Sequence, residues 1–265
     1  MDCTFENMDS HPIAIQHIWL KVLVEKSLFE NCTDSGEGGG IYVNYAEKFV
    51  LDKVCANRCL SNTSGHFFFL DFINSSVNLT SVIYCGGVQD DLTADSTTLS
   101  INGNLGYIKY LNCSFNKAKY ASALKFSVTR SYSLNFSTIN SNSFSKHTID
   151  IFNDVIKITS CNILNNRGDY VFSINSDLII RDSSIYDNDV TMVFFGNLGE
   201  IQSNVYLFNT YIDSASSEGI GTIRFRDQVL IKNSVNLERK LSCGIDPVPM
   251  TAPKKLEHII NTYKK

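Results

Sequence analysis

The chain has 265 residues, of which 43% are hydrophobic and only 19% charged, with a formal net charge of −4. That balance offers no basic field for nucleic acid. No apolar run reaches the length of a membrane span, and the hydrophobic fraction is enough to build a core. Polarity comes instead from Asn, Ser and Thr, whose short side chains bond to nearby backbone and resist long helices.

In chain order, Cys3-Thr-Phe5-Glu-Asn7 already resembles Cys113-Ser-Phe115-Asn116 further on. The sequence is therefore expected to begin inside a repeat, and no secretory leader is legible there. The stretch from Pro12 to Phe29 has the length of a helix. Its alternation at Ile13, Ile15, Val22 and Val24 fits strands equally well. Short strands are predicted at Ile41–Val43, Phe49–Leu51, Phe67–Leu70, Asn78–Ile83, Leu99–Ile101, Tyr107–Tyr110 and Ala123–Phe126, bounded by Asn, Ser, Asp or Gly. Gly86 to Thr97 reads as the longest insertion. Three clean copies follow, at Ile139-Asn-Ser-Asn142, Ile163-Leu-Asn-Asn166 and Ile185-Tyr-Asp-Asn188, each flanked by short apolar runs. Further strands are predicted at Val205–Leu207, Gly221–Phe225 and Gln228–Ile231. The chain then turns Pro-bearing and basic, with a short helix expected at Leu256–Tyr263.

The copies recur about every 22–24 residues, the scale of a solenoid coil. Strands of a sandwich or barrel have no reason to share one register, whereas stacked coils place like residues above like. The predicted fold is therefore all-β: a right-handed parallel β-helix with coils of about 22–28 residues. Residues 1–27 would form an N-terminal coil or cap, 28–235 the β-helix, and 236–265 a C-terminal cap or loose tail. The expected stacked rows are Phe115/Ile139/Ile163/Ile185/Ile212 inside and Asn142/Asn166/Asn188 at a bend.

The eight cysteines are scattered, and the reading favoured for them is small residues packed near turns. Cys55 and Cys59 are the one close pair; free thiols are favoured there over a local disulfide. No second pair or His cluster completes a zinc site. Six Asn-x-Ser/Thr sequons, at Asn31, Asn62, Asn74, Asn78, Asn112 and Asn135, would be acceptors if the chain is secreted.

Gly38-Gly-Gly-Ile-Tyr42, Leu99-Ser-Ile-Asn-Gly-Asn104, Asn112-Cys-Ser-Phe-Asn116 and the Ile-x-x-Asn copies together carry a family likeness. Over residues 28 to 235 the chain resembles the Asn/Ser/Tyr-rich β-helix proteins of trichomonad protists. Those are similar in turn to the repeats of chlamydial polymorphic outer-membrane proteins. The resemblance implies a pectin-lyase-like solenoid, a secreted or cell-surface location, and adhesion to a host-cell protein or glycan.

The sequence predicts no catalytic, cofactor-binding or metal site. Asp90, Asp91 and Asp95 share one turn-rich stretch and read as solvated loop acids. Asp150, Asp154, Asp177, Asp182 and Asp187 stand at differing repeat positions and form no column. His66 follows Gly65, but Phe67 begins a strand. An enzyme of this architecture, a polysaccharide lyase or hydrolase, would need three or more acids converging with a Lys, Arg or His in one groove. A binding module would need aromatics in register on an exposed face, and Tyr42, Tyr45, Tyr84, Tyr107, Tyr110, Tyr120, Tyr170, Tyr186, Tyr206 and Tyr211 supply the stock. The third reading is an inactive fragment of a larger repeat protein.

Overall fold

The computed structural model describes residues 3–87, 95–143, 145–152, 155–196, 203–232, 234–235 and 237. They wind into a parallel β-solenoid of about eight turns, without a helix among them. Each coil contributes to three parallel faces. The first face stacks Ile13–Gln16 on Ile41–Asn44, Phe68–Asp71, Leu99–Asn102 and onward. The second begins with Lys21–Glu25 on Lys48–Asp52. The third begins with Cys3–Glu6 on Ser27–Glu30. The N-terminal stretch is thus coil throughout, and its alternation wins over its helix-like length because every strand there finds a partner. Residues 236 and 238–265, with the helix expected at Leu256–Tyr263, lie outside the described residues. Gln228–Ile231 forms no strand; it makes one bridge, Tyr211 with Val229.

Alternation decides the core. On the first face Ile41, Phe68, Leu99, Leu124, Ile149, Phe172 and Phe194 stack inward and are fully buried. Each such side chain contributes roughly 1.5–3 kcal/mol on leaving water. On the second face the inward row Phe49, Ser75, Gly106, Tyr132 changes size abruptly. Tyr132 lies flat across the Gly106 coil, and its hydroxyl shares a 2.6 Å hydrogen bond with the Ser75 hydroxyl. A Cβ on Gly106 would come within 2.5 Å of the Tyr132 ring, so the glycine is what lets the tyrosine span two coils.

The third face is only three or four residues wide because a left-handed residue closes it on each side. One corner column runs Lys26, Lys53, Leu79, Tyr110, Phe136, Ser160, Asp182, Asn209, Asp227, and the other Asn7, Asn31, Arg58, Tyr84, Phe115, Ser141, Asn165, Asp187, all at φ between 44° and 60°. Among non-Gly residues Asn and Asp tolerate that region best, and they hold Asn7, Asn31, Asn165, Asp182, Asp187, Asn209 and Asp227. Where Tyr84, Tyr110, Phe115 and Phe136 occupy it, they stack in pairs along the axis, Tyr84 on Phe115 and Tyr110 on Phe136, both at 5.3 Å.

The registration corrects one expected row. Ile139 stacks on Cys113, not on Phe115. Phe115 lies on the corner, outside the core, and the inward position is two residues earlier. The row is therefore Cys113/Ile139/Ile163/Ile185/Ile212. Ser137, Cys161 and Ser183 share a different column, in which the Ser183 hydroxyl accepts from the Cys161 N–H.

The Asn row is confirmed and is longer than expected, because Asn116 precedes Asn142. The Asn142 side-chain oxygen accepts from both the backbone N–H and the side-chain amide of Asn116, each at 3.0 Å. Asn166 does the same for Asn142, and Asn188 for Asn166. The sequence steps are 26, 24 and 22 residues. Above the ladder, Cys85, Cys59 and Cys32 continue the same column: Lys117 N–H bonds to the Cys85 carbonyl, Gly86 N–H to Cys59, and Leu60 N–H to Cys32. The step from Cys85 to Asn116 is 31 residues, which locates the long insertion; residues 88–94 within it, including Asp90 and Asp91, lie outside the described residues. Cys32, Cys59, Cys85, Cys113 and Cys161 are buried free thiols. Burial raises the Cys59, Cys113 and Cys161 thiols, Cys161 to about 12. Cys59 being free, no Cys55–Cys59 bridge forms, yet Cys55 is disulfide-bonded rather than the free thiol expected.

Two outcomes follow from this column and from buried His66. Asn142→Ala strands the Asn116 N–H and the Cys113 carbonyl, which Asn142 Nδ2 holds at 2.9 Å. Urea melts should show a loss of about 3 kcal/mol, larger than for Asn188→Ala at the less buried end of the ladder. His66 is fully buried and its pKa is lowered by that burial to about 4. The unfolded chain therefore takes the proton first, so stability is complete above pH 6.5 and falls as pH drops towards 4, by roughly 3 kcal/mol. Melting curves of His66→Gln should lose about half of the slope over this range, because buried His147, also lowered to about 4, supplies the rest.

Candidate functional site

The outward residues of the first face are placed by the same stacking that fills the core. One outward column reads Tyr42, Phe69, Ser100, Lys125, Asp150, Ser173, Phe195. Aromatics thus close both ends of a polar centre. Along one side of this column, the segments that lead into the strands raise a wall carrying Glu37, Ser64, Asp95 and Tyr120. Between wall and face lies a groove of about 500 Å³, with Phe69, Ser100, Asn102 and Lys125 on its floor.

Charges converge there. Lys125 sits over the Tyr120 ring, its Nζ 5.2 Å from the centroid. Asp150, on the next coil, is 4% exposed and accepts hydrogen bonds from the Ser173 hydroxyl and the Tyr120 phenol. Burial pushes its carboxyl up from the usual range, while Ser173, Lys125, Tyr120 and Lys146 pull it back. Glu37 is raised by burial and opposed by Lys125. Tyr120 is pushed up to about 12 by burial, with Asp150 and Asp95 adding to it. Asp71, on the strand of Phe69, is raised by burial. Two carboxyl groups, Glu37 and Asp95, one ammonium and one phenol therefore share a partly dehydrated groove, with Asp150 buried beside it against Tyr120. Such a site can accept hydrogen bonds from hydroxyl or amine groups, and in Asp150 it holds a carboxyl whose neutral form is favoured.

Beside the groove runs a ring stack along the solenoid axis. Tyr120 meets His147 edge-on at 4.9 Å, His147 stacks on Tyr170 at 5.6 Å, and Tyr170 on Phe195 at 4.4 Å. Tyr120, Tyr170 and Phe195 are half-buried, so part of each ring faces solvent. His147 is buried and lowered to about 4 by burial, then by Lys146, so it is neutral at physiological pH. Its Nδ1 has no hydrogen-bond partner among the described residues, and neither has the Thr63 hydroxyl, which lines the groove.

Sequence reasoning found Asp95, which stands exposed on the groove wall, but treated it as a plain loop acid. It missed Glu37, Lys125 and Asp150 as a set. Alternation carried the signal: Lys125 and Asp150 are the middle residues of Leu124-Lys-Phe126 and Ile149-Asp-Ile151, so both point outward. What was lacking was the registration that makes them neighbours. The other acids do not join. Asp177 accepts from Asn204, Asp182 from Asn209, and Asp187 pairs with Lys232. Asp154 lies outside the described residues. His66 is interior, its Nδ1 2.9 Å from the Ser61 carbonyl oxygen.

Of the sequon asparagines, Asn74 alone is exposed; Asn31, Asn62, Asn78, Asn112 and Asn135 are half-buried. Asn31, Asn78, Asn112 and Asn135 donate their side-chain amides to Asn7, Asp52, Ser81 and Ser133. No described helix is long and apolar enough to cross a membrane. No family model matches the chain, and neither a curated protein nor a solved structure matches it.

Lys125 lowers both Glu37 and Asp150. Lys125→Met should therefore raise both carboxyl pKa values. Carboxyl-carbon NMR titration of the wild-type and variant chains reads the shift directly.

Proposed function

We propose that the chain is a non-catalytic binding solenoid that holds an extended glycan along the first face, between the ring stack and the polar groove. One observation carries this: Tyr120, His147, Tyr170 and Phe195 follow one another along the axis, Tyr120 edge-on to His147 and the rest stacked, beside a groove lined by carboxyl, amide, hydroxyl and ammonium groups. Half-exposed aromatic rings present flat apolar surface at low entropic cost, and neighbouring polar groups fix orientation. A pyranose has the matching chemistry, with an apolar C–H face and a rim of hydroxyls. The repeated coil spacing of about 4.8 Å suits a polymeric ligand laid along the axis. The likeness to trichomonad and chlamydial β-helix proteins supports a secreted or surface role, with a host-cell glycan or protein as partner.

The convergence of Glu37, Asp95 and Asp150 with Lys125 favours a second reading, a polysaccharide-cleaving enzyme. Asp150, raised by burial, would be the proton donor and an ionised neighbour the base or nucleophile.

Calorimetry against a panel of oligosaccharides tests both. The binding reading expects saturable binding without release of new reducing or unsaturated ends. Tyr170→Ala should weaken that binding about tenfold, the loss of one stacking platform. Product formation that Asp150→Asn abolishes would transfer the groove to the second reading.

A further inference from the structure

On the other side of the outward column the chain departs from its repeat. Val43 pairs with Leu70 and Ala46 with Phe72, so Asn44 and Tyr45 together oppose the single Asp71. This is a β-bulge, a device that re-aims a side chain. Tyr45 takes φ 66° and is 59% exposed. A bulky residue in the left-handed region is strained, and such strain clusters at functional sites. One coil earlier, Trp19 is 69% exposed. One coil later, Ile73 is exposed as well. On the following coil Gly103 makes room for the Phe72 ring, which a Cβ there would meet at 2.5 Å, and both residues line the hollow. The result is a second hollow of about 540 Å³, walled by Trp19, Tyr45 and Ile73 and edged by Asp71, Asn102 and Asn104. Asn102 lines both hollows, so the two adjoin on this face.

We propose that this second hollow is a subsite for the acetamido group of an N-acetylhexosamine unit, so that the glycan of the first face is built from N-acetylated amino sugars. The inference rests on the glycan-binding reading. An acetamido group is amphipathic: a methyl, one N–H donor and one carbonyl acceptor. The hollow offers the complement of each. Trp19, Tyr45 and Ile73 present apolar surface to the methyl, the Asp71 carboxylate can accept from the N–H, and the Asn102 or Asn104 amide can donate to the carbonyl. A hexose lacking this group leaves the apolar wall unfilled and the polar edge unpaired, a loss of tenfold or more. A uronate meets Asp71 here and Glu37 and Asp95 in the adjoining groove, against Lys125 as the one cationic lining residue of the two hollows. Like charges brought together at such a site are repelled.

Trp19 is the only tryptophan of the chain, so its fluorescence reports on this hollow alone. Tryptophan emission and calorimetry would be followed on the full chain with four hexasaccharides: N-acetylated chitohexaose, its deacetylated form, cellohexaose and oligogalacturonate. The expected result is a saturable emission change with chitohexaose, an affinity at least about tenfold above cellohexaose, and no binding of oligogalacturonate. Tyr45→Ala, at an exposed position where folding does not depend on the ring, should narrow the preference for chitohexaose over cellohexaose towards unity while cellohexaose affinity holds. Equal affinities for chitohexaose and cellohexaose, or calorimetric binding with unchanged Trp19 emission, would overturn the subsite and leave glycan binding standing. Binding of none of the four would remove both.

Discussion

Everything in this molecule depends on the in-register stacking of parallel coils. A coil in isolation closes no backbone hydrogen bonds of its own; its N–H and C=O groups are satisfied only by the coils above and below. Once that registration is set, a residue's environment is decided by its position in the coil and by the residues occupying the same position in neighbouring coils. The corner column shows how strict this is. Asn142, Asn166 and Asn188 each use a side-chain oxygen to receive the backbone and the side chain of the coil before, and Asn116 receives the Cys85 N–H. Where Cys85, Cys59 and Cys32 take over, the column keeps a small buried side chain and gives up the amide ladder. The position demands compactness first and hydrogen bonding second.

The same registration produces the candidate site. Lys125 and Asp150 are neighbours for the reason that Leu124 and Ile149 are neighbours: their strands pair residue for residue. A solenoid therefore assembles outward chemistry as a by-product of inward packing. The wall that dehydrates this chemistry comes from the irregular segments between the third-face corners and the first-face strands, which stacking leaves free to vary. Glu37, Asp95 and Tyr120 come from such segments. Regular coils supply the floor and irregular ones the depth, and depth is what raises the Asp150 and Glu37 carboxyls.

Departures from the repeat mark where the surface changes character. The bulge at Tyr45 adds one residue that the next coil lacks, and turns a ring outward instead of continuing the strand. The Gly106 position does the reverse, removing a side chain so that Tyr132 can reach Ser75. The aromatic residues on left-handed corners lie between these cases: Phe115 and Phe136 accept an unfavourable backbone and recover part of the cost by stacking on Tyr84 and Tyr110.

Period, alternation and residue type were enough to determine an all-β parallel solenoid, the interior Ile row from Ile139 to Ile212, the Asn row, and the place of the long insertion, because each is a property of spacing along one chain. Phe115 shows how residue size can mislead. Its size suited the interior row, but the inward residue stands three before the row's Asn, and Cys113-x-x-Asn116 has the spacing of Ile139-x-x-Asn142. The site was illegible for a different reason. Lys125, Asp150, Glu37 and Tyr120 come from coils of unequal length, so their convergence follows only from how much chain each coil spends between corners. That quantity is settled by hydrogen bonding and packing between coils, and only the tertiary structure holds it.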